Sequence, residues 1–499
     1  MNALSERTRV GLHILGASAV VGVAADLLLR AMPWGLNAFV CVAALIAAVW
    51  WLAAGRRSSA SADAPWLGVA GLVLASTFAV RDSHALRPLD LVGIAIVVSL
   101  AHLSLRGVAL RGRHEWEYVR GAVMSGWTAC TGVFPLLGRD VSWGELRSLS
   151  GLRHVGPAAL GVLLAFPLLL VFGALFASAD VVFRNAVHDL FDIDFATLIS
   201  HTFVIAALAT LAAGYLRGVL LAPASEPGPG DGRPLSVGIV PVATALALVD
   251  LLFLAFVVIQ MRYFFGGTDL VQRTTGLTYA EYARRGFLEL VAASGLVLPI
   301  LVAADWAVQN EPRAQQRWFG RLAVMLLALL GVVMASAFER MRLYVAAFGL
   351  SEIRLYSTAF MVYLAGVFVW FAWTTLRGGR GRFAFGALVQ GFAVLAGLHL
   401  LNPDAFIVRV NLARPATERP FDGRYAASLS TDAVPELLAA LPRLDPAEQC
   451  RAEHGLVARW HELEHDDWRN WNLSRARARR LLRDQVERLH AGECPHVST

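Results

Sequence analysis

Long apolar runs fill roughly the first four-fifths of the chain. Each run holds few charged side chains and is close to the ~20 residues that a helix needs to cross the hydrocarbon core of a bilayer. The pattern predicts an all-α, polytopic transmembrane helical bundle of about eleven helices. The runs lie at residues 11–29, 35–54, 65–80, 89–105, 155–177, 195–216, 238–260, 286–305, 320–338, 355–376 and 383–401.

The end of the chain has a different pattern, with charged positions throughout. Asn402 and Pro403 follow the last apolar run and form a natural helix stop. Shorter stretches with helical spacing come after them, so we expect a small helical tail. We therefore divide the chain into an N-terminal four-helix membrane segment with an inner loop, a seven-helix membrane domain and a polar C-terminal tail, at residues 1–154, 155–401 and 402–499.

The distribution of arginines predicts the orientation. If the N-terminus lies inside, the inner segments hold more arginines than the outer loops, and such an excess marks the cytoplasmic side. We therefore expect a cytoplasmic N-terminus and, after eleven crossings, a periplasmic or extracellular tail. The moderately apolar segment 119–137 leaves an alternative open, because a twelfth helix there would reverse everything after it.

Composition agrees with a membrane protein and narrows its partners. The chain is 57% hydrophobic and 16% charged, whereas a soluble domain is about a quarter charged. Its arginines lie in short loops between apolar runs and form no single basic stripe, which argues against nucleic acid as a partner. The expected partner is the lipid bilayer.

Four cysteines are spread along the chain without the spacing of a zinc site. Cys41 lies in an apolar run, and Cys130 lies in the moderately apolar segment. Cys450 and Cys494 both lie in the tail. This last pair could form a disulfide if the tail faces an oxidising compartment.

Six phrases in the second part of the chain resemble those of a known family. Together they are similar to the bacterial membrane family called domain of unknown function 4173, a relative of the 4153 family. The resemblance implies a bacterial inner-membrane location and implies no activity. The phrases begin with FASAD at 176–180, QMRYFFGG at 260–267 and TYAEYARRGF at 278–287, and continue with ERMRLY at 339–344, LNPD at 401–404 and WRNWNLS at 468–474.

On the predicted topology, these phrases place polar residues at the outer ends of several helices. Polar groups that converge at one depth are what an outward-facing binding cleft needs. The alternative is that they are ordinary snorkelling arginines and interfacial aromatics. The candidate cluster consists of Asp180, Arg262, Tyr263, Arg284, Arg285, Glu339, Arg340, Arg342, Asn402 and Asp404, with His201 and His399 nearby.

Asp250 lies near the middle of the apolar run 238–260. An acid at the centre of a bilayer costs about 3 kcal/mol by insertion scales, so it should face the interior of the bundle. Proton coupling or cation coordination is one interpretation. The other is a protonated side chain that is hydrogen-bonded to a neighbouring helix.

The tail contains two histidines four residues apart, His461 and His465, with Glu462 beside the first. On a helix this spacing can bind zinc and activate its water. Glu464 adds a charge between the histidines, where metalloproteases normally have none. The pattern fixes no third ligand, and Glu487 and His490 are the candidates for one. We find no phosphate loop and no catalytic triad, so we expect no catalytic residue and no cofactor.

These observations favour a non-enzymatic inner-membrane protein that acts through the outer cluster, as a binding or regulatory component or as part of an envelope assembly with other envelope proteins. A transporter or flippase that uses Asp250 and the loops of Arg262 and Arg342 is the second hypothesis. A membrane-anchored zinc hydrolase with His461, Glu462 and His465 is the third.

The arginine distribution makes a testable prediction about the tail. A phosphatase that folds only outside the cytoplasm, fused after Thr499, should be active, because eleven crossings place the tail outside. The same enzyme fused within the inner loop after Arg139 should be inactive. Activity measured in intact cells separates the two cases, and an inactive fusion after Thr499 would mean that the number of crossings is even.

Overall fold

A computed structural model of the chain describes residues 4–53, 60–147, 155–184, 195–222, 238–265, 287–414, 420–464 and 467–491. Within these ranges the secondary structure is helical, with no strand. The predicted all-α helical bundle is confirmed, and the chain is a multi-pass membrane protein. Nine of the described helices are long and apolar enough to cross a membrane, and the apolar stretches Ala64–Val80 and Leu164–Phe176 are shorter.

Each predicted apolar run corresponds to a helix. The helices of the bundle, together with the moderately apolar helix α5, are α1 (Glu6–Leu29), α2 (Leu36–Ala53), α3 (Ala64–Val80), α4 (Leu86–Leu105), α5 (Glu115–Thr131), α6 (Val155–Ala179), α7 (Phe195–Leu220), α8 (Ile239–Phe265), α9 (Phe287–Val308), α10 (Arg313–Phe348), α11 (Glu352–Thr374) and α12 (Phe383–Leu401).

The bundle has two groups of helices that meet along α4 and α12. In the first group α1 packs against α2 and α7, and in the second α10 packs against α8, α9 and α11. The contact between the groups contains an apolar cluster, with Leu74, Leu86 and Val97 from one side and Leu395 and Leu398 from the other. Apolar side chains elsewhere remain exposed on the helices, as is expected where lipid is the solvent.

We call the end of the bundle at which α1 begins the start face. An ion-pair cluster fixes it: the carboxylate of Asp140 accepts hydrogen bonds from Nη2 of Arg7 at 2.6 Å and Nε of Arg217 at 2.5 Å. One acid thereby joins the beginning of α1, the turn after α5 and the end of α7. The opposite end is the tail face.

Helix α5 begins and ends at the start face. It follows the end of α4, and the turn after it carries Asp140, so the segment 119–137 does not carry the chain to the tail face. Trp116, Val119, Val123 and Trp127 are exposed along α5 at the spacing of one helical side. Such an apolar stripe suits a helix that lies in the membrane interface.

The C-terminal tail is a folded helical domain. Its helices are α13 (Pro403–Leu412), α14 (Gly423–Ser428), α15 (Val434–Ala440), α16 (Pro446–Glu464), α17 (Leu473–Arg483) and α18 (Val486–Ala491). Their buried apolar side chains form one core that includes Leu350 and Leu355 from the junction of α10 and α11. The domain is therefore packed against the membrane helices at the tail face.

The close contact of α5 and α7 makes a testable prediction. A Cβ at Gly214 would lie 2.2 Å from the carbonyl oxygen of Ala129 and 2.5 Å from that of Thr128. Because backbone cannot move aside easily, Gly214→Ala should destabilise the protein by about 1–3 kcal/mol. The measurement is the thermal unfolding midpoint of the purified protein in detergent.

Gly126→Ala is the matched control, since a Cβ there meets no described atom within 4 Å and alanine is the better helix former. Equal unfolding midpoints for the two variants would contradict the close contact.

Candidate functional site

Asp82 is the centre of a polar network at the tail face. It lies in the short loop between α3 and α4 and is 5% exposed. Its carboxylate accepts hydrogen bonds from Nη1 of Arg475 and from Oγ1 of Thr431, both at 2.8 Å, and from Nη2 of Arg87. Two of these three donors belong to the C-terminal domain, so this carboxylate holds that domain on the membrane helices.

A second buried acid, Asp432, makes the reverse connection from the C-terminal domain to the same loop. It accepts the backbone N–H of Asp82 at 2.8 Å and Nη1 of Arg81 at 3.3 Å. Arg81 also donates to the carbonyl oxygen of His399 at the end of α12, at 2.8 Å and 3.1 Å. One arginine therefore joins α3, α12 and the C-terminal domain.

Asn472 seals the end of α3. Its Nδ2 donates to the carbonyl oxygens of Phe78 at 2.7 Å and Arg81 at 2.8 Å, while its Oδ1 accepts the backbone N–H of Arg475 at 3.1 Å and caps α17. The Asn472 side chain therefore caps two helices. It donates to carbonyl groups at the end of α3 and accepts an N–H group at the start of α17, and these groups have no partner within their own helices.

The neighbouring residues bind the C-terminal end of α1 and the start of α2. The backbone N–H of Leu36 donates to the carbonyl oxygen of Trp471 at 2.8 Å, and Nη1 of Arg469 donates to the carbonyl oxygen of Leu27 at 2.7 Å. The two segments of backbone approach so closely that a Cβ at Gly35 would lie 2.4 Å from the carbonyl oxygen of Trp471. This position therefore requires glycine.

We call this set of residues the docking network. Each of its two acids accepts several hydrogen bonds, among them bonds from guanidinium groups, which are stronger than neutral ones. Carboxylates held in this way are structural anchors between the C-terminal domain and the membrane helices. The members are Arg81, Asp82, Arg87, Thr431, Asp432, Arg469, Trp471, Asn472 and Arg475.

Two histidine–aspartate pairs lie within the membrane helices beside this network. Nε2 of His399 on α12 is 2.8 Å from Oδ1 of Asp90 on α4, and the ring of His201 on α7 contacts the carboxylate of Asp26 on α1. Both pairs join helices that are far apart in the chain. They extend the polar contacts of the tail face into the bundle.

The predicted cluster residues occupy several different settings. Asp180 is exposed and accepts the backbone N–H groups of Val182 at 2.7 Å and Phe183 at 3.2 Å, as a helix cap does. Glu339 and Arg342 form an exposed ion pair at 2.6 Å on α10, next to Arg340. The side chains of Arg262 and Tyr263, and the residues Arg284 and Arg285, lie outside the described part of the structure.

Asn402 and Asp404 connect α12 to the C-terminal domain. Asn402 adopts a left-handed conformation with φ of 55° between α12 and α13, which asparagine tolerates better than most residues. Asp404 is fully buried and accepts a hydrogen bond from the Ser430 hydroxyl. Burial, together with the nearby charges of Glu352 and Asp432, raises the pKa of Asp404 to about 6, although the hydrogen bond from Ser430 opposes the rise.

Asp250 is 2% exposed on α8. Within the described residues, neither of its carboxyl oxygens has a hydrogen-bond partner. A transporter would need a cavity at this depth, and the burial of Asp250 gives that hypothesis no support.

The zinc hypothesis depends on His461 and His465. His461 is exposed and lies 3.8 Å from Glu464, and His465 lies outside the described residues. No group of three or more His, Cys, Asp or Glu side chains in the described ranges is placed to hold a metal ion. The arrangement adds no third ligand to the sequence motif.

Sequence reasoning missed most of the docking network. The WRNWNLS phrase at 468–474 was recognised as a family signature, but no role was assigned to Asn472. No sequence pattern singles out Asp82 or Arg475. They are 393 positions apart, and no local pattern connects residues at that separation.

A family model described as Domain of unknown function (DUF4153) matches residues 68–440. The matched part includes the loop that carries Asp82 and the segment that carries Asp432. No curated protein and no solved structure matches the chain. The six phrases had indicated the relative numbered 4173, so that prediction is confirmed only at the level of the related 4153 family.

The raised pKa of Asp404 makes a testable prediction. Because its folded pKa exceeds the ordinary value of 3.8, the folded state binds more protons than the unfolded state between about pH 4 and 6. Stability should therefore fall as pH rises through this window, by up to about 3 kcal/mol, and should level off above it. Asp404→Asn, which stays neutral, should lack this loss.

The measurement is the unfolding midpoint of the purified chain from pH 4 to 7. Asp484→Asn, at an exposed position on the same domain, is the control and should follow the wild type. A parallel pH profile for Asp404→Asn and the wild type would contradict the shift.

Proposed function

The chain belongs to the family described as Domain of unknown function (DUF4153), and from that premise we propose that it acts as a non-enzymatic protein of the bacterial inner membrane. It holds its C-terminal domain in one fixed position on the periplasmic side. In that position the domain serves as a binding or regulatory component of an envelope assembly, with other envelope proteins as its partners.

The docking network is the observation that carries this proposal. Asp82 alone joins one loop of the membrane helices to two segments of the C-terminal domain, through Thr431 and Arg475. A tail that was only a flexible extension would need no buried ion pairs. A domain fixed in advance loses less conformational entropy when it binds a partner, so rigid docking favours a role in binding.

Two further observations support a periplasmic position for the domain. The predicted inner segments, which begin with the start of α1, carry more arginines than the predicted outer loops. Such an excess marks the cytoplasmic side. Cys450 is disulfide-bonded, whereas Cys41 and Cys130 are free; Cys494, the expected partner, lies outside the described residues. Disulfides persist in oxidising compartments such as the periplasm.

The transporter and zinc hypotheses gain no comparable support. Asp250 is buried without a described polar partner, and the His461 side chain is exposed beside Glu464. Neither setting offers the transport path or the ligand set that these activities require. The fixed C-terminal domain is therefore the better supported basis for a function.

Breaking the docking network should release the C-terminal domain. Asp82→Asn removes the charge that Arg87 and Arg475 share, and breaking a buried ion pair costs about 3–5 kcal/mol. The domain should then open more often, and cleavage by trypsin at Arg469 and Arg475 should become at least about tenfold faster, since 1.4 kcal/mol corresponds to a factor of ten. The measurement is the rate of appearance of the tail fragments from the purified full chain.

Asp445→Asn is the matched control, because Asp445 is an exposed acid on the same domain; its cleavage rate should equal that of the wild type. In cells, Asp82→Asn and deletion of residues 402–499 should weaken the cell envelope to the same extent when the two are compared with the wild type. A variant that releases the domain but leaves the envelope as in the wild type would contradict the proposed function.

A further inference from the structure

A second polar region lies at the tail face, around a cavity of about 680 Å³. This volume is within the usual range for small-molecule sites. The loop between α10 and α11, at residues 349–351, forms one wall. The end of α13 and the start of α14 form the other, so the cavity lies between the membrane helices and the C-terminal domain.

Hydrogen bonds between the two sides fix the walls of this cavity. Oδ1 of Asn411 accepts the backbone N–H of Leu350 at 2.7 Å, and its Nδ2 donates to the carbonyl oxygen of Leu350 at 2.8 Å. The hydroxyl of Tyr425 accepts the backbone N–H of Glu352 at 3.0 Å. Gly349 has a φ of 79°, which favours glycine. The cavity is therefore preformed.

The described residues that line the cavity carry an excess of positive charge. They include four arginines, at positions 354, 414, 424 and 451, and two acids, Asp422 and Glu448. Both acids are already engaged, because Asp422 accepts the backbone N–H of Tyr425 at 2.8 Å and Glu448 pairs with Arg451. The surplus guanidinium charge makes an anion the favoured occupant.

Two of the arginines are oriented by carbonyl groups. Nη1 of Arg354 donates to the carbonyl oxygen of Phe348 at 3.1 Å, and its guanidinium lies 4.0 Å from the ring centroid of Tyr344. Nη2 of Arg414 donates to the carbonyl oxygen of Ala346 at 2.6 Å. A carbonyl group thus fixes the direction of both guanidinium groups at the wall of the cavity.

The cavity lies at the tail-face end of two membrane helices. It lies where α10 ends and α11 begins, and both helices are long and apolar enough to cross a membrane. Phe348, Phe421 and Leu350 add apolar surface beside the arginines. Apolar and cationic groups side by side suit an amphiphilic anion at the membrane surface.

We propose that this cavity binds a phosphate-bearing ligand through Arg354, Arg414 and Arg424. Guanidinium groups bind phosphate oxygens in a planar, often bidentate geometry. The phosphate comes either from the headgroup of an anionic phospholipid or from a soluble phosphate. The proposal goes beyond the function proposed above and does not depend on it, since Asp82 and its partners do not line this cavity.

The test uses the purified full chain in a neutral detergent. Short-chain phosphatidylglycerol and inorganic phosphate are titrated separately by calorimetry. Arg424→Gln should weaken binding at least about tenfold, because a hydrogen bond to a charged group is lost. Arg424 is exposed, so this variant should fold normally. Arg414→Gln should have the same effect and provides a second, independent variant.

Arg443→Gln is the matched control, at an exposed arginine of the same domain outside the cavity, and should bind like the wild type. Binding of phosphatidylglycerol alone identifies a lipid headgroup as the ligand. Binding of inorganic phosphate with similar affinity identifies a soluble phosphate. Absence of binding by both probes, or binding that Arg424→Gln and Arg414→Gln leave unchanged, would overturn the proposal.

Discussion

The carbonyl groups at the ends of three membrane helices are the constraint on which the tail face depends. The last carbonyls of a helix have no partner within it, and here they point away from the apolar bundle. Arg469 donates to Leu27 at the end of α1, Asn472 donates to Phe78 at the end of α3, and Arg81 donates to His399 at the end of α12. Arginine is well suited to this task, because a positive charge is favourable at the C-terminal end of a helix.

The two faces of the bundle are held by the same kind of ion-pair cluster. At the start face Asp140 lies between Arg7 and Arg217, and at the tail face Asp82 lies between Arg87 and Arg475. In each case one buried acid between two arginines joins segments that are distant in the chain. Such an acid is expensive to bury alone, so both arginines must be in place. Each cluster therefore specifies one arrangement of its helices.

The sequence predicted the helices well, because a bilayer requires apolar runs of a fixed length and each run could be recognised by itself. It placed Asn402 and Asp404 at the end of α12, where they are, but gave no indication that Asp404 is buried against Ser430. Asp82 could not be identified, because its importance comes from residues 431 and 475, which only the fold brings close. Arg262, Arg284 and Arg285 remain predictions, since their side chains lie outside the described residues.

Because Asn472 caps the end of α3, this helix is completed only late in the synthesis of the protein. The ribosome makes Phe78 and its helix 394 residues before the side chain that completes it. During synthesis the carbonyl groups of Leu27 and Phe78 must therefore remain without these partners until nearly the whole chain has been made. The last segment to be made closes the first helices, so a protein interrupted before position 472 would have all of its membrane helices and still lack a finished surface.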